Sequence, residues 1–286
     1  MAVVNGKHIP RKRFGQHFLI NEHIADRIVE SASIEPDDTV LEIGPGKGIL
    51  TERLIGLART VIAVEIDRDL SALLRSRFGR DERFRLIESD ILTLDPDELF
   101  RDVSSRIKVV SNIPYNISAP IIEFLIRNRA HIAEAVIMVQ KEVAERFLAD
   151  PGSKKYGLTT LNLALCARGR KIMEVKPGAF KPEPKVMSTV ISLVLTEQYH
   201  YPLVSETVFR TLTGIAFRQR RKMLRNTLIP FFVSNGITKQ QALDILLSAG
   251  IDPKSRPESV DVSDFVKICN AFATQHSGST AAESRQ

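Results

Sequence analysis

The sequence predicts an α/β fold, a parallel sheet with helices on both faces, followed by a small all-α domain. Three observations carry that expectation. From Thr39 to Val139, short apolar runs of strand type alternate with helical segments, the order that builds parallel sheets. The first run, Val40-Leu41-Glu42-Ile43, breaks into Gly44-Pro45-Gly46-Lys47-Gly48 and resumes as a helix. Composition changes over Thr196 to Tyr201, and beyond it only helical periodicity remains.

A chain of 286 residues has room for one large domain, or one domain and a smaller appendage. No stretch approaches the ~20 apolar residues that cross a bilayer, since the longest, near Val186 to Leu195, contains Ser188, Thr189 and Ser192. Lys7, Arg11, Lys12 and Arg13 are followed by no apolar run, so no secretory signal is expected. Cys166 and Cys269 make neither a disulfide framework nor a zinc spacing, and the six histidines form no metal pattern. A cytoplasmic protein without metal or membrane contact is the expectation. Lys plus Arg number 40 against 34 for Asp plus Glu, with a pI near 9.4, which admits a nucleic-acid partner without requiring one.

Residues 1–15 read as a basic N-terminal arm, 16–196 as the sheet domain, 197–274 as the helical domain and 275–286 as a disordered tail. Asn21 is set to cap a helix with Ile24, Ile28 and Ala32 on one face. Strands follow at Thr39 to Ile43, Thr60 to Val64, Phe84 to Ile87, Ile107 to Ser111 and Ala135 to Val139, with helices at Ile49 to Leu57, Leu70 to Phe78 and Ser118 to Ile126. Strands Lys171 to Val175 and Thr189 to Leu195 finish the sheet. In the second domain, Val204, Val208, Leu212 and Ile215 line one helix, and Phe217, Leu224, Leu228 and Phe231 line the next. Thr238 with Gln241 forms a capping box, and Phe265, Ile268, Cys269 and Phe272 face inward from the last helix.

In such sheets ligands bind at the carboxyl ends of the strands. Gly44, Gly46 and Gly48 form G-x-G-x-G rather than the G-x-G-x-x-G that serves a pyrophosphate, which disfavours nicotinamide and flavin. Glu65, 21 residues beyond Gly44, ends the second strand, where a carboxylate can accept both hydroxyls of a ribose. Asp67 is better explained as a helix cap. Asp90 follows the third strand, either to take an adenine amino group or simply to form a turn. Asn112-Ile113-Pro114-Tyr115 ends the fourth. An adenine amino nitrogen is a poor nucleophile because its lone pair is delocalised into the ring. Two acceptors aimed at its hydrogens, the Asn112 oxygen and the Ile113 carbonyl, would draw it toward tetrahedral geometry and bear the developing charge. Pro114 biases Ile113 away from helix and leaves its carbonyl outside secondary structure, and Tyr115 offers a ring for stacking, worth ~1–3 kcal/mol. Phe180, in the stiff loop Pro177 to Val186, is either a buried plug or a second stacking surface. Arg218, Arg221, Lys222 and Arg225 cluster as phosphate contacts or as a solvated charged face.

With these residues assembled, the chain resembles the small-subunit ribosomal RNA adenine dimethyltransferases, the KsgA family of S-adenosylmethionine enzymes, from about Arg11 to Phe272. The likeness rests on Gly15-Gln16-His17-Phe18-Leu19, Glu42-Ile43-Gly44-Pro45-Gly46, Val64-Glu65-Ile66-Asp67, Asn112-Ile113-Pro114-Tyr115-Asn116-Ile117-Ser118, Gln140-Lys141-Glu142-Val143 and Arg220-Arg221-Lys222. The resemblance implies a Rossmann-like class I methyltransferase sheet with S-adenosylmethionine as cofactor, met by His17, Leu19, Gly44, Gly46, Glu65, Asp90 and Asn112. It implies that Asn112, Ile113, Pro114 and Tyr115 hold the target base, with Phe180 on its other face. It implies dimethylation of two adjacent adenines near the 3′ end of small-subunit (16S) rRNA, by a monomer acting late in subunit biogenesis. His17 stands where many bacterial members have Asn, and Ile113 where Leu is more usual. Two related alternatives share the fold: a large-subunit (23S) adenine methyltransferase of the macrolide-resistance type, and a non-catalytic assembly or transcription factor.

Overall fold

The computed structural model describes residues 3–4, 7–8 and 17–283. In chain order the elements are β1 (Val3–Val4), β2 (Lys7–His8), β3 (Phe18–Leu19), α1 (Glu22–Glu30), β4 (Thr39–Ile43), α2 (Ile49–Leu57), β5 (Thr60–Glu65), α3 (Arg68–Phe78), β6 (Phe84–Glu88), α4 (Pro96–Leu99), β7 (Ile107–Asn112), α5 (Ser118–Arg127), β8 (Ile132–Gln140), α6 (Lys141–Phe147), α7 (Leu158–Ala164), β9 (Ala167–Val175), β10 (Phe180–Lys181), β11 (Ser188–Leu195), α8 (Glu206–Arg218), α9 (Leu224–Ser234), α10 (Lys239–Ser248) and α11 (Val262–Glu283). β1 pairs with β2; the rest of the arm assigned to 1–15 lies outside the described residues.

Seven strands form one sheet in the order β6-β5-β4-β7-β8-β11-β9. The first five run parallel, and β11 runs antiparallel to both β8 and β9. The sheet is therefore mixed rather than wholly parallel. β9 and β11 are joined by the loop that carries Phe180, and the chain turns back and inserts its last strand between β8 and β9. Central strands are rich in Val, Ile and Leu because helices cover both faces, and Val40, Leu41, Val109 and Val110 are fully buried. The sequence begins β9 at Lys171, yet it starts at Ala167. Arg168, Gly169 and Arg170 look like loop, but an edge strand tolerates outward charge. A Cβ on Gly169 would meet the Leu148 side chain at 2.3 Å.

Helix starts follow their side-chain caps. Asn21 accepts from the Ile24 amide at 3.0 Å, Asp67 accepts from the Asp69 amide at 3.0 Å, and Thr238 and Gln241 form the reciprocal box.

The chain divides into two compact units, Met1–Leu148 with Cys166–Glu197, and Ala149–Leu165 with Gln198–Gln286. The boundary expected at 196/197 thus misses an inserted segment. Tyr156, Leu161 and Leu165 are buried with Phe209, Leu228, Phe232 and Phe265 in the core of the helical unit, and burial there outweighs proximity in sequence to the sheet. The expected second helix from Phe217 is broken as well: α8 stops at Arg218, α9 starts at Leu224, and its first amides, on Leu224 and Arg225, donate to the Ser255 and Pro253 carbonyls at 2.8 and 3.0 Å. At the far end α11 continues to Glu283, through most of the tail expected to be disordered. The residues from His276 to Ala282 are mostly small and polar, the feature that expectation rested on, but Ala281 and Ala282 are good helix formers.

Gly48 caps α2 with φ of 83°, and a Cβ there would lie 2.6 Å from the Phe78 ring. Gly48→Ala is expected to destabilise the sheet unit by at least the ~1–2 kcal/mol that left-handed backbone costs an L-residue, read as a lower urea midpoint at unchanged slope.

Candidate active site

Where β4 ends, Gly44, Gly46 and Gly48 all adopt positive φ, at 66°, 60° and 83°, and fold the chain back into α2. The turn is tied to the neighbouring strand by the Gly44 amide, which donates to the Val64 carbonyl at 2.9 Å. Glycine also permits close approach at Gly46, where a Cβ would be 3.1 Å from Phe18, while one on Gly44 would make ordinary contact with the Pro114 ring at 3.5 Å. The Asn112–Tyr115 turn and the glycine turn are thus in contact across β4 and β7.

Two carboxylates are buried behind this turn. Glu65 is 4 % exposed; one oxygen accepts from the Asp67 amide at 2.9 Å and the other from the Gly46 amide at 3.2 Å. Burial pushes its pKa from the ordinary 4.5 to about 7, with these hydrogen bonds pulling the other way. Glu42, 1 % exposed, accepts from the Thr51 hydroxyl at 2.6 Å. Burial raises it to about 8, the Thr51 hydroxyl opposing and the Glu65 charge adding. Asp90, beyond β6, accepts from the Leu92 amide at 3.0 Å, so it is a turn-former and a cavity residue at once.

Asn112 ends β7. Its Nδ2 donates to the His17 carbonyl at 3.2 Å, which commits the amide nitrogen and turns Oδ1 away from that partner. The Ile113 amide donates to the Met138 carbonyl at 3.0 Å, and its side chain is buried, so this residue's contribution to the cavity is its backbone. Tyr115 opens a single 3₁₀ turn, Tyr115–Ile117. Its hydroxyl is 2.7 Å from Ser188 Oγ, its ring stacks on His17 with centroids 5.2 Å apart and planes 29° apart, and burial raises the phenol's pKa. His17 Nδ1 is in turn 2.8 Å from the Pro182 carbonyl.

His17, Leu19, Gly44, Gly46, Glu65, Asp90, Asn112, Ile113, Pro114 and Tyr115 all line one cavity. Phe180 does not. It pairs with Leu19 in the β10–β3 ladder, is 2 % exposed and packs among Met173, Val175 and Val190, so it is the plug and not a stacking surface. Sequence reasoning missed Glu42 as a cavity residue, although a carboxylate inside an unbroken apolar strand is a usable signal. It also missed Ile66, an isoleucine 45 % exposed in the cavity wall, and Ser188.

In the helical unit, Arg218 at the end of α8, Arg221 and Lys222 in the turn that follows, and Arg225 in the first turn of α9 are exposed. None forms an ion pair among the described residues. The nearby Arg220 instead pairs with Glu258 at 2.9 Å and donates to the Ser153 carbonyl at 3.2 Å, while the Gly152 amide donates to the Glu258 carbonyl at 2.6 Å. Three loops are joined by these bonds, which brings exposed Lys154, Lys254 and Arg256 toward the same surface. Among the described residues no cluster of His, Cys, Asp and Glu could hold a metal ion, and no helix is long and apolar enough to cross a membrane.

A sheet of this strand order, with a glycine turn after β4, an acid after β5 and Asn-Ile-Pro-Tyr after β7, defines a class I methyltransferase fold. The chain belongs to the ribosomal RNA adenine dimethylase family, whose sequence model matches residues 7–274. It is 38% identical over 267 residues to a ribosomal RNA small subunit methyltransferase A of Pseudomonas savastanoi, covering 93% of this chain and 96% of that one. It is 43% identical over 275 residues to the protein of that name from Synechococcus sp. WH7803, covering 93% and 95%. Among solved structures, a dimethyladenosine transferase from Plasmodium falciparum matches with a TM-score of 0.76 and 29% identity, over 91% of this chain and 98% of that one. The 23S rRNA methyltransferase ErmE, at 24% identity and a TM-score of 0.65 over 90% and 99%, shares the fold. S-adenosylmethionine is the cofactor.

Both buried carboxyls titrate above their unfolded value. The stability they lend is complete below about 4.5 and is withdrawn as pH rises through about 7 and 8. Melting of the cofactor-free protein is therefore expected to fall across that interval, and Glu42→Gln to flatten the fall, as scanning calorimetry at stepped pH would register.

Proposed function

We propose that this enzyme transfers methyl groups from S-adenosylmethionine to the amino groups of two adjacent adenines near the 3′ end of small-subunit rRNA, giving dimethyladenosines during late subunit assembly in the cytoplasm. The observation that carries the reading is that the Asn112–Tyr115 turn, the glycine turn, Glu65 and Asp90 open into one cavity. The donor set fits the cofactor. Glu65 accepts from two amides, and each oxygen keeps a lone-pair site for a ribose hydroxyl. Asp90 has an oxygen beyond its turn bond for an adenine amino group, Ile66 gives an apolar wall for the purine, and Gly44, Gly46, His17 and Leu19 close around the remainder.

When bound, the cofactor supplies an electrophilic methyl on a sulfonium. The protein's part is to deliver the acceptor. Asn112 Oδ1 and the Ile113 carbonyl receive the two amino hydrogens, tilt the nitrogen lone pair toward the methyl and offset the positive charge that grows on nitrogen. Tyr115 carries the base plane. Alignment of two bound reactants supplies most of the acceleration, and the proton lost from the product amine is acidic enough to leave to water. Because the base must leave its stack to enter, unpaired adenines are the natural targets.

The helical unit supplies affinity rather than chemistry. We assign Arg218, Arg221, Lys222 and Arg225, with Lys154, Lys254 and Arg256 beside them, to RNA phosphates, and Arg220 to holding the loops together. The large-subunit alternative finds less support, since the relatives at 38% and 43% identity carry the small-subunit name. The presence of Glu65, Asp90 and Asn112 speaks against a non-catalytic factor.

Mass spectrometry of RNA after incubation of undermethylated small subunits, against free large-subunit RNA, tests the reading. Dimethyladenosine in the former alone is the expected result; modification only of the latter would overturn it. Asn112→Ala is expected to lower turnover ~100-fold or more, on the scale of removing one preorganised polar group that serves a transition state, with RNA affinity unchanged. Alanine at Arg221, Lys222 or Arg225 should lower the slope of log affinity against log salt by about 1 for each phosphate left without its cation, measured by filter binding to the subunit.

A further inference from the structure

Tyr115 begins a short 3₁₀ turn, a kind of structure that holds a side chain loosely, whereas a stacking platform needs a fixed plane. Its hydroxyl reaches out of the turn to Ser188 Oγ at 2.7 Å. Ser188 is fully buried and is the first residue of β11, paired with Gln140 of β8 on one side and Val175 of β9 on the other. A hydroxyl anchored between two ladders cannot drift, so this single contact transfers the stiffness of the sheet to the phenol. The ring face is constrained separately, by the His17 imidazole that rests on it and is itself bound to the Pro182 carbonyl.

We propose that Ser188 is a positioning residue for methyl transfer: its hydroxyl sets the angle of the Tyr115 ring, and through that ring the orientation of the acceptor adenine at the Asn112 and Ile113 oxygens. The proposal rests on the methyltransferase reading above and adds to it a residue remote in sequence from the Asn-Ile-Pro-Tyr turn. Ser188 touches neither cofactor nor base. It acts on the acceptor side of the reaction, so its removal should change the rate of the bound complex and leave cofactor affinity alone.

The test compares wild type, Ser188→Ala, Ser188→Thr, Tyr115→Phe and the Ser188→Ala/Tyr115→Phe double variant on undermethylated small subunits. Single-turnover rates and, separately, calorimetric cofactor affinity are read. Loss of one hydrogen bond's worth of alignment predicts a drop of roughly three- to tenfold in the rate for either Ala or Phe. Cofactor affinity should be unmoved, the Thr variant should recover most of the rate, and the double variant should be no slower than the slower single one. A Ser188→Ala enzyme as fast as wild type, or effects that multiply in the double variant, would overturn the proposal. If Ser188→Ala does not fold, Tyr115→Phe removes the same bond from its partly exposed end, and Ser188→Thr supplies the comparison. NMR relaxation of ring-labelled tyrosine reads the same constraint without any RNA: rocking of the Tyr115 ring axis, read as ring order parameters, should be larger in Ser188→Ala, and unchanged order parameters count against the proposal. Should wild type itself modify no subunit RNA, the functional reading has failed, and the order-parameter experiment still decides whether Ser188 holds the ring.

Discussion

The hydrogen bond from the Gly46 amide to Glu65 is the constraint from which the rest of the site follows. It joins the turn after β4 to the end of β5, and the second Glu65 oxygen is held by the Asp67 amide at the start of α3. Burying a carboxylate is costly unless it is hydrogen-bonded, and two backbone donors offset only part of that cost, since its pKa still lies near 7. A ligand bringing further hydroxyl donors finishes the task. The same carboxylate therefore orders the glycine turn in the free protein and, in the function proposed above, accepts the hydroxyls of a ribose.

That arrangement needs glycine for a reason visible in the contacts. Each of the three glycines takes a positive φ, and Gly44 and Gly46 are also where the Pro114 and Phe18 rings come close. Backbone freedom and lack of a side chain are used together. The result draws the tips of β4 and β7 into contact, so that the glycine turn and the Asn112–Tyr115 turn line one cavity.

Much of this was legible in the sequence, and the exceptions have physical causes. The strands β4 to β8 and their acids are local signals: an apolar run, a glycine break, a polar residue at the tip. The reversal of β11, the membership of Ala149–Leu165 in the helical unit and the break between α8 and α9 are non-local, each decided by a partner distant in sequence, such as the Ser255 and Pro253 carbonyls that cap α9. Phe180 had two readings of similar local merit, and only its pairing with Leu19 distinguishes a plug from a platform. Ser188 carried no signal at all, because a serine at the start of a strand means nothing until Tyr115 is found beside it.

Following the charge across the reaction explains why the acceptor side matters more than the cofactor side. Methyl transfer moves a positive charge from sulfur to the amine nitrogen, so any anionic group near the sulfonium favours the reactant over the transition state. Binding of that kind raises affinity without raising turnover. Only groups placed where charge appears can lower the barrier, and in the proposed mechanism those are the oxygens of Asn112 and Ile113. Their leverage depends on a fixed distance and angle to the amine. A turn held by the His17 carbonyl at Asn112, by the Met138 carbonyl at Ile113 and by Ser188 at Tyr115 has each of its reactive members tied to a different element, and that is how an irregular loop acquires the precision of a sheet.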